Sequence, residues 1–235
     1  PLHALLQTMA GVDQVVSELE QFAQGQAAER VVLVEGPTHG GGVAFVFAGN
    51  GAQWLGMGRR LLSESSRFAG LMTALDALIS RRAHFSIIAE LQQPPETSRL
   101  QDTAVAQPLL FAMQVALTTL LREWGVSCTA AVGHSVGEVA AAWAVGALSL
   151  EQAVDVICAR SAAQARTAGA GRMAAVGLSE PAAREWLAQR FPDLEIAGVN
   201  SPKNITVSGP LESLERFGAE ARKQKVVFRL LDLDY

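Results

Sequence analysis

The sequence predicts an α/β fold in which a large domain built on a parallel sheet is followed by a small α+β unit. Three features point to it. The apolar run VAFVFA (43–48) passes through the glycine-rich stretch GNGAQWLGMG into a helical pattern, and strand, glycine loop and helix in that order make an α/β unit. A second apolar run, CTAAVGH (128–134), turns through Gly133-His134-Ser135-Val136-Gly137 into another helix. From Gly171 onward the texture changes to short elements in the order β-α-β-β-α-β, the ferredoxin-like arrangement of a small antiparallel sheet with two helices on one face.

Taken in order, residues 1–35 carry a helical pattern (Val12, Val15, Val16, Leu19, Phe22) and the β-branched run RVVLVE, and GPTHGGG then punctuates the chain. This segment looks like the tail of one module leading into another. The glycine loop after residues 43–48 opens a long helix. Leu109, Leu110, Met113, Leu117, Leu120 and Leu121 have helical spacing and predict a helix from about Val105 to Trp124, with Gln107 and Pro108 at its start and Gly125 as its stop. CTAAVGH reads as a buried strand, and VGEVAAAWAVGAL as a helix apolar on nearly every side and therefore central. Ser149 caps LEQAVDVICARSAAQAR, with Gln152 placed to close a capping box. MAAVGL, EPAAREWLAQR, LEIAGVN, NITVSG, LESLERFGAEARKQK and VVFRLLDL supply the small unit. The expected segments are 1–42, 43–170 and 171–235.

Composition narrows the function classes. Of 235 residues 49% are hydrophobic and 18% charged, with a formal net charge of -4, which argues against a nucleic-acid partner. Cys128 and Cys158 form no C-x-x-C pair and read as buried, reduced thiols of an intracellular protein. The most apolar region, 130–148, is interrupted by His134, Ser135 and Glu138 and falls short of the ~18 apolar residues of a membrane span. PLHALLQTMAG lacks the basic region of a signal peptide. A cytoplasmic protein without membrane association is expected.

G-x-S-x-G between a buried strand and a buried helix is the nucleophile-elbow pattern, which exposes a serine at a helix N-terminus. A tight turn with a structural serine is the other explanation. In an elbow the backbone N–H of Val136 points to where a tetrahedral oxyanion would form, and the GNGAQ loop, leaving a neighbouring strand at the same sheet edge, can bring a second donor. A phosphate cradle is the rival for that loop, but Trp54 stands where the dinucleotide fingerprint needs glycine, and the Gly-Lys-Ser/Thr of a P-loop is missing. Arg160 lies on the flank of its helix's apolar stripe, beside Ala153 and Val156. It is either a bidentate clamp for a carboxylate or a structural, snorkelling arginine. Gln107 reads as a capping or surface residue at the start of its helix, while His39 and His84 read as solvated. One requirement stays open: a serine nucleophile needs a base, and no histidine follows His134.

FAGNGAQWLGMG, DTAVAQPLLFAM, GHSVGEVAAAWAVGALSLEQAV, ICARS, GRMAAVGLS and VNSPKNITVSG stand in the order and spacing of acyltransferase domains. From about Val43 to Tyr235 the chain resembles the acyltransferase of type I polyketide synthases, akin to malonyl-CoA:acyl-carrier-protein transacylases. Residues 1–42 resemble the end of the linker between a ketosynthase and its acyltransferase. The resemblance implies an α/β-hydrolase-like large domain, an acyl ester on Ser135, an oxyanion hole from the N–H groups of Asn50 and Val136, Arg160 on the free carboxylate of the extender unit, and Gln107 and His134 lining the pocket. It also implies ping-pong transfer from an acyl-CoA to the phosphopantetheine thiol of an acyl carrier protein, a neighbouring ketosynthase as partner, and neither a metal nor a cofactor of the domain's own. The family usually has glutamine where Asn50 stands; since the hole uses the backbone N–H, function is expected to survive the change. Val136 after the serine, with DTAVAQP, resembles the malonyl-selecting pattern. In the family FRxLDVxY is followed within a few residues by the base histidine, whereas this chain reads FRLLDLDY and stops, so the base is expected just beyond Tyr235. The alternatives are a serine hydrolase or thioesterase, which shares the elbow without needing the arginine, and a non-catalytic docking module.

Overall fold

The computed structural model describes residues 2–6, 12–26, 31–35 and 41–231. The chain divides into two compact units, residues 1–42 and 43–235. In the first, β1 (Leu2–Leu6) pairs antiparallel with β2 (Val31–Glu35), and α1 (Val12–Ala23) lies between them in sequence. β1 is not anticipated by pattern, because LHALL contains no β-branched or aromatic residue and its leucines and alanine favour helix.

The second unit begins with β3 (Val43–Phe47), α2 (Arg59–Glu64), α3 (Ser66–Ala83), α4 (Ile87–Gln92), α5 (Thr103–Glu123), β4 (Cys128–Gly133), α6 (Gly137–Ala144) and α7 (Leu150–Ala165). β3 and β4 are adjacent and parallel, with Phe47 opposite Gly133. Their inward residues Phe45, Phe47 and Ala131 meet a core formed by Phe68, Met72, Leu75 and Ile79 of α3, Leu109 and Phe111 of α5, and Val154 and Ile157 of α7. α5 is long and apolar enough to cross a membrane, yet most of it is buried against α3, α6 and α7. Its hydropathy is that of a central core helix.

Three expectations are corrected here. The helix after the glycine loop is two helices: Ser65 adopts extended backbone (φ -119°, ψ 101°), ends α2 and caps α3 by accepting the Phe68 N–H at 3.2 Å. α5 starts at Thr103 rather than near Val105, because the Asp102 carboxylate accepts the Ala104 N–H at 2.8 Å. Pro108 therefore sits inside the helix, where its missing N–H leaves the Ala104 carbonyl without its usual partner. β4 is not fully buried, since Val132 is 57% exposed and Val46 beside it 77%. Among the described residues only one face of this strand pair is covered by helices.

The small subdomain consists of β5 (Arg172–Val176), α8 (Glu180–Arg190), β6 (Glu195–Ser201), β7 (Asn204–Gly209), α9 (Leu211–Lys223) and β8 (Phe228–Leu230). Its sheet runs β6-β7-β5-β8 with every neighbouring pair antiparallel, the ferredoxin-like order. Strand alternation sends Ala174, Val176, Ile205 and Val207 into a second core with Leu214 and Phe217 of α9. Met173 and Thr206 fall on the opposite face.

Candidate active site

Because β3 and β4 are parallel neighbours, the loops after Phe47 and Gly133 leave the same sheet edge side by side. The His134 N–H donates to the Phe47 carbonyl at 3.0 Å and ties the two loops together. The chain then turns sharply into α6. A methyl group on Gly133 would collide with the backbone of Gly137 and Glu138, and one on Gly137 with the carbonyl oxygens of Phe47 and Ala48. Ser135 has φ 54°, the left-handed backbone of a strained strand-to-helix elbow. The turn closes with the Gly137 N–H on the His134 carbonyl at 3.0 Å and the Glu138 N–H on that of Ser135 at 2.9 Å. Val136, its side chain buried, is left at the N-cap of α6. Its N–H has no acceptor among the described residues, the state expected of an oxyanion donor.

Arg160 projects from α7 towards that serine. Its Nη2 donates to Ser135 Oγ at 3.0 Å, while its Nη1 donates to Gln107 Oε1 and, at 2.9 Å, to Gln164 Oε1. Gln107 is fully buried, and its Nε2 donates to Thr103 Oγ1 at 2.9 Å and to Gln164 Oε1 at 2.7 Å. No carboxylate pairs with Arg160 among the described residues, and its charge faces the serine. Ala153 beside it is buried as expected, but Val156 is 42% exposed.

Asn50 lies across the cleft, its Nδ2 donating to Thr103 Oγ1 at 3.4 Å. Gln53 fixes the rest of that loop, accepting the Gly51 N–H at 2.8 Å and donating to the Leu100 carbonyl at 3.2 Å. His134 faces the small subdomain, where its ring Nε2 lies 3.3 Å from Asn200 Oδ1, and Asn200 Nδ2 donates to Thr206 Oγ1 at 2.9 Å. Asn50, His134, Asn200 and Thr206, with Ser135, Arg160 and Gln164, border a cleft of about 330 Å³ that also takes in Met173 and Gly198. The structure thus brings Ser135, Arg160, Asn50 and His134 to one cleft, with Gln107 one hydrogen bond behind Arg160. None of the described hydrogen bonds joins Ser135 to a base.

The remaining sequence candidates lie elsewhere. His84 ends α3 in left-handed backbone, its N–H on the Ser80 carbonyl at 3.0 Å. His39 lies outside the described residues, as do residues 232–235. Cys158 is buried but Cys128 only half-buried, so the expectation of two buried thiols holds for one. Two site residues escaped the sequence, Gln164 and Asn200. Gln164 had a signal, since it stands one helical turn after Arg160 and so on the same face. Asn200 had none, because its partner lies in another subdomain.

A family model described as "Acyl transferase domain" matches residues 44–235. The chain is 40% identical over 225 residues to "Erythronolide synthase EryA2" of Saccharopolyspora erythraea, covering 95% of this chain and 6% of that protein. It is 37% identical over 217 residues to "Pikromycin polyketide synthase component PikAII" of Streptomyces venezuelae, covering 92% and 6%. The chain therefore spans only a small part of the curated relatives it matches. Among solved structures it is similar to the acyltransferase domain from the second module of the salinomycin polyketide synthase, with a TM-score of 0.86 and 28% identity over 100% of this chain and 54% of the other. It is likewise similar to the acyltransferase domain of the polyketide synthase PpsC of Mycobacterium tuberculosis, with a TM-score of 0.74 and 32% identity over 92% and 63%.

Proposed function

The chain belongs to the acyl transferase domain family, with polyketide synthase acyltransferases among its relatives, and from that premise we propose the transfer it performs. It takes a short dicarboxylic acyl unit, malonyl foremost, from coenzyme A onto Ser135 and passes it to the phosphopantetheine thiol of an acyl carrier protein. The observation that carries this is the 3.0 Å hydrogen bond from Arg160 Nη2 to Ser135 Oγ. An ester on Oγ whose carbonyl is one carbon away from a carboxylate folds that carboxylate back beside the guanidinium. A simple fatty acyl group would instead lay alkyl carbon against an uncompensated cation.

In the first half-reaction Ser135 Oγ attacks the thioester carbonyl, and the oxyanion meets the N–H of Val136 and, from the loop opposite, that of Asn50. Both N–H groups are backbone, so asparagine at position 50 serves as well as glutamine. Collapse expels the CoA thiolate and leaves the acyl ester. In the second half the carrier thiol attacks that ester and Ser135 is regenerated. The serine proton passes to a base, a role that no described contact of Ser135 fills. The names of the relatives are those of polyketide synthases, which supports a carrier-protein domain and a neighbouring ketosynthase as partners.

The test is intact-mass analysis of the full-length protein after exposure to malonyl-CoA or methylmalonyl-CoA. Acyl mass is expected on Ser135, faster from malonyl-CoA, and none on Ser135→Ala. Faster methylmalonyl loading would remove the malonyl assignment. Release of the label as free acid, with none delivered to a carrier protein, would make the chain a hydrolase.

A further inference from the structure

Gln164 has no part in the transfer described above, yet it stands at the centre of the polar network behind the nucleophile. Arg160 can only donate hydrogen bonds, and this fixes both carboxamides that touch it. Gln107 must turn Oε1 to Arg160, which leaves its nitrogen for Thr103 Oγ1 at 2.9 Å and Gln164 Oε1 at 2.7 Å. Gln164 must likewise turn Oε1 to Arg160 Nη1, at 2.9 Å, and to Gln107. Flipping either amide would set donor against donor.

The consequence is a count of guanidinium protons. Both on Nη1 are taken by amide oxygens, one from Gln107 and one from Gln164. One on Nη2 goes to Ser135 Oγ. The second Nη2 proton and the Nε proton have no acceptor among the described residues, and those two nitrogens form the lateral edge of the fork. A carboxylate approaching the Nη1–Nη2 end would have to displace an amide oxygen. One approaching the Nε–Nη2 edge displaces neither amide oxygen, and it arrives at the nitrogen already bonded to the nucleophile.

We propose that Gln164 is a positioning residue which, with Gln107, occupies Arg160 Nη1 and so presents the Nε–Nη2 edge to the carboxylate of the acyl unit. The proposal rests on Arg160 being the carboxylate's partner, as in the function given above. It deepens that function by naming which face of the arginine selects a short dicarboxylic unit.

Two readouts on the full-length protein test it. Arginine-resolved nitrogen spectra report rotation about the Cζ–Nη bonds: Arg160 should give separate Nη1 and Nη2 signals in the wild type and in Gln164→Glu, which keeps an acceptor there, and an averaged signal in Gln164→Met. In steady-state loading, Gln164→Met should raise KM for malonyl-CoA about tenfold, as one misplaced charge-assisted hydrogen bond would, with kcat changed less than about twofold. An averaged Arg160 signal in the wild type, or a folded Gln164→Met with wild-type KM, overturns the role of Gln164 while leaving the transfer intact. A wild type with resolved Arg160 signals that loads no dicarboxylic acyl-CoA overturns the functional premise, and the role built on it falls with it.

Discussion

Ser135 rests against a cation, and the transfer proposed above turns on that single contact. A hydrolase acting on neutral acyl chains would have no use for a guanidinium at the serine, whereas the proposed dicarboxylic acyl group would find its counter-ion there. Arg160→Ala should therefore lower malonyl loading about 100-fold, the scale for losing charge-assisted hydrogen bonds to a carboxylate. Arg160→Lys should recover only part of it, since an ammonium cannot present two parallel donors. Loading followed by intact mass decides this; a loss of less than about threefold in Arg160→Ala would leave the carboxylate clamp without support. Cys158, on the same helix, gives a pH-dependent prediction. Burial pushes its thiol up to about 11 from 9.0. At pH 8 only about one Cys158 in a thousand is thiolate, so a thiol reagent should modify half-buried Cys128 first and reach Cys158 on unfolding. The linkage has a definite sign. The folded state holds this proton more tightly, so its contribution to stability is complete below pH 9.0 and is lost as pH rises towards about 11.

At the scale of elements, the elbow is a close approach of backbone to backbone. At Gly137 a Cβ would meet the carbonyl oxygens of Phe47 and Ala48, which cannot retreat without parting β3 from the turn. Gly137→Ala should cost about 1–3 kcal/mol in a urea titration and reduce acyl labelling of Ser135, whereas nothing adjoins a Cβ at exposed Gly70 and Gly70→Ala should not destabilise. The same locality explains what the sequence made legible. The Ser149–Gln152 capping box involves residues within one turn, and it forms as the pattern requires. The β-α-β-β-α-β order reads directly from alternation and punctuation, and the GHSVG turn from its glycines. The break at Ser65 was hidden because a serine between helix-forming neighbours also suits a continuous helix, and only the fold around α3 makes it a cap. The exposure of β4 was hidden for the opposite reason: an apolar run states that a strand wants covering, not that both faces are covered. The guanidinium network joins residues far apart in the chain, 53 between Arg160 and Gln107 and 57 between Gln107 and Gln164, and no periodicity encodes such pairs.

For residues 43–235 taken as one unit, the decisive feature is that the cleft lies between two separate hydrophobic cores. Ser135 and Arg160 belong to the larger. Met173, Asn200 and Thr206 belong to the open face of the small sheet, and the His134–Asn200 contact at 3.3 Å crosses between them. Each core has its own packing, so each should lose structure by itself. Phe217 tests this, because it is fully buried and packs edge-on against Trp186, Phe191 and Phe228, with ring centroids 5.7, 5.1 and 6.1 Å away. Removing it should cost the small subdomain about 3–5 kcal/mol. In Phe217→Ala, amide hydrogen exchange should therefore accelerate across residues 172–230 while α5, buried in the other core, keeps its protection. Malonyl loading should fall with the loss of that wall of the cleft, although every contact of Arg160 with Ser135, Gln107 and Gln164 lies outside the damaged core. Equal acceleration in α5 would mean that the two cores fold as one, and a wild-type loading rate would mean that the small sheet does not shape the acyl site.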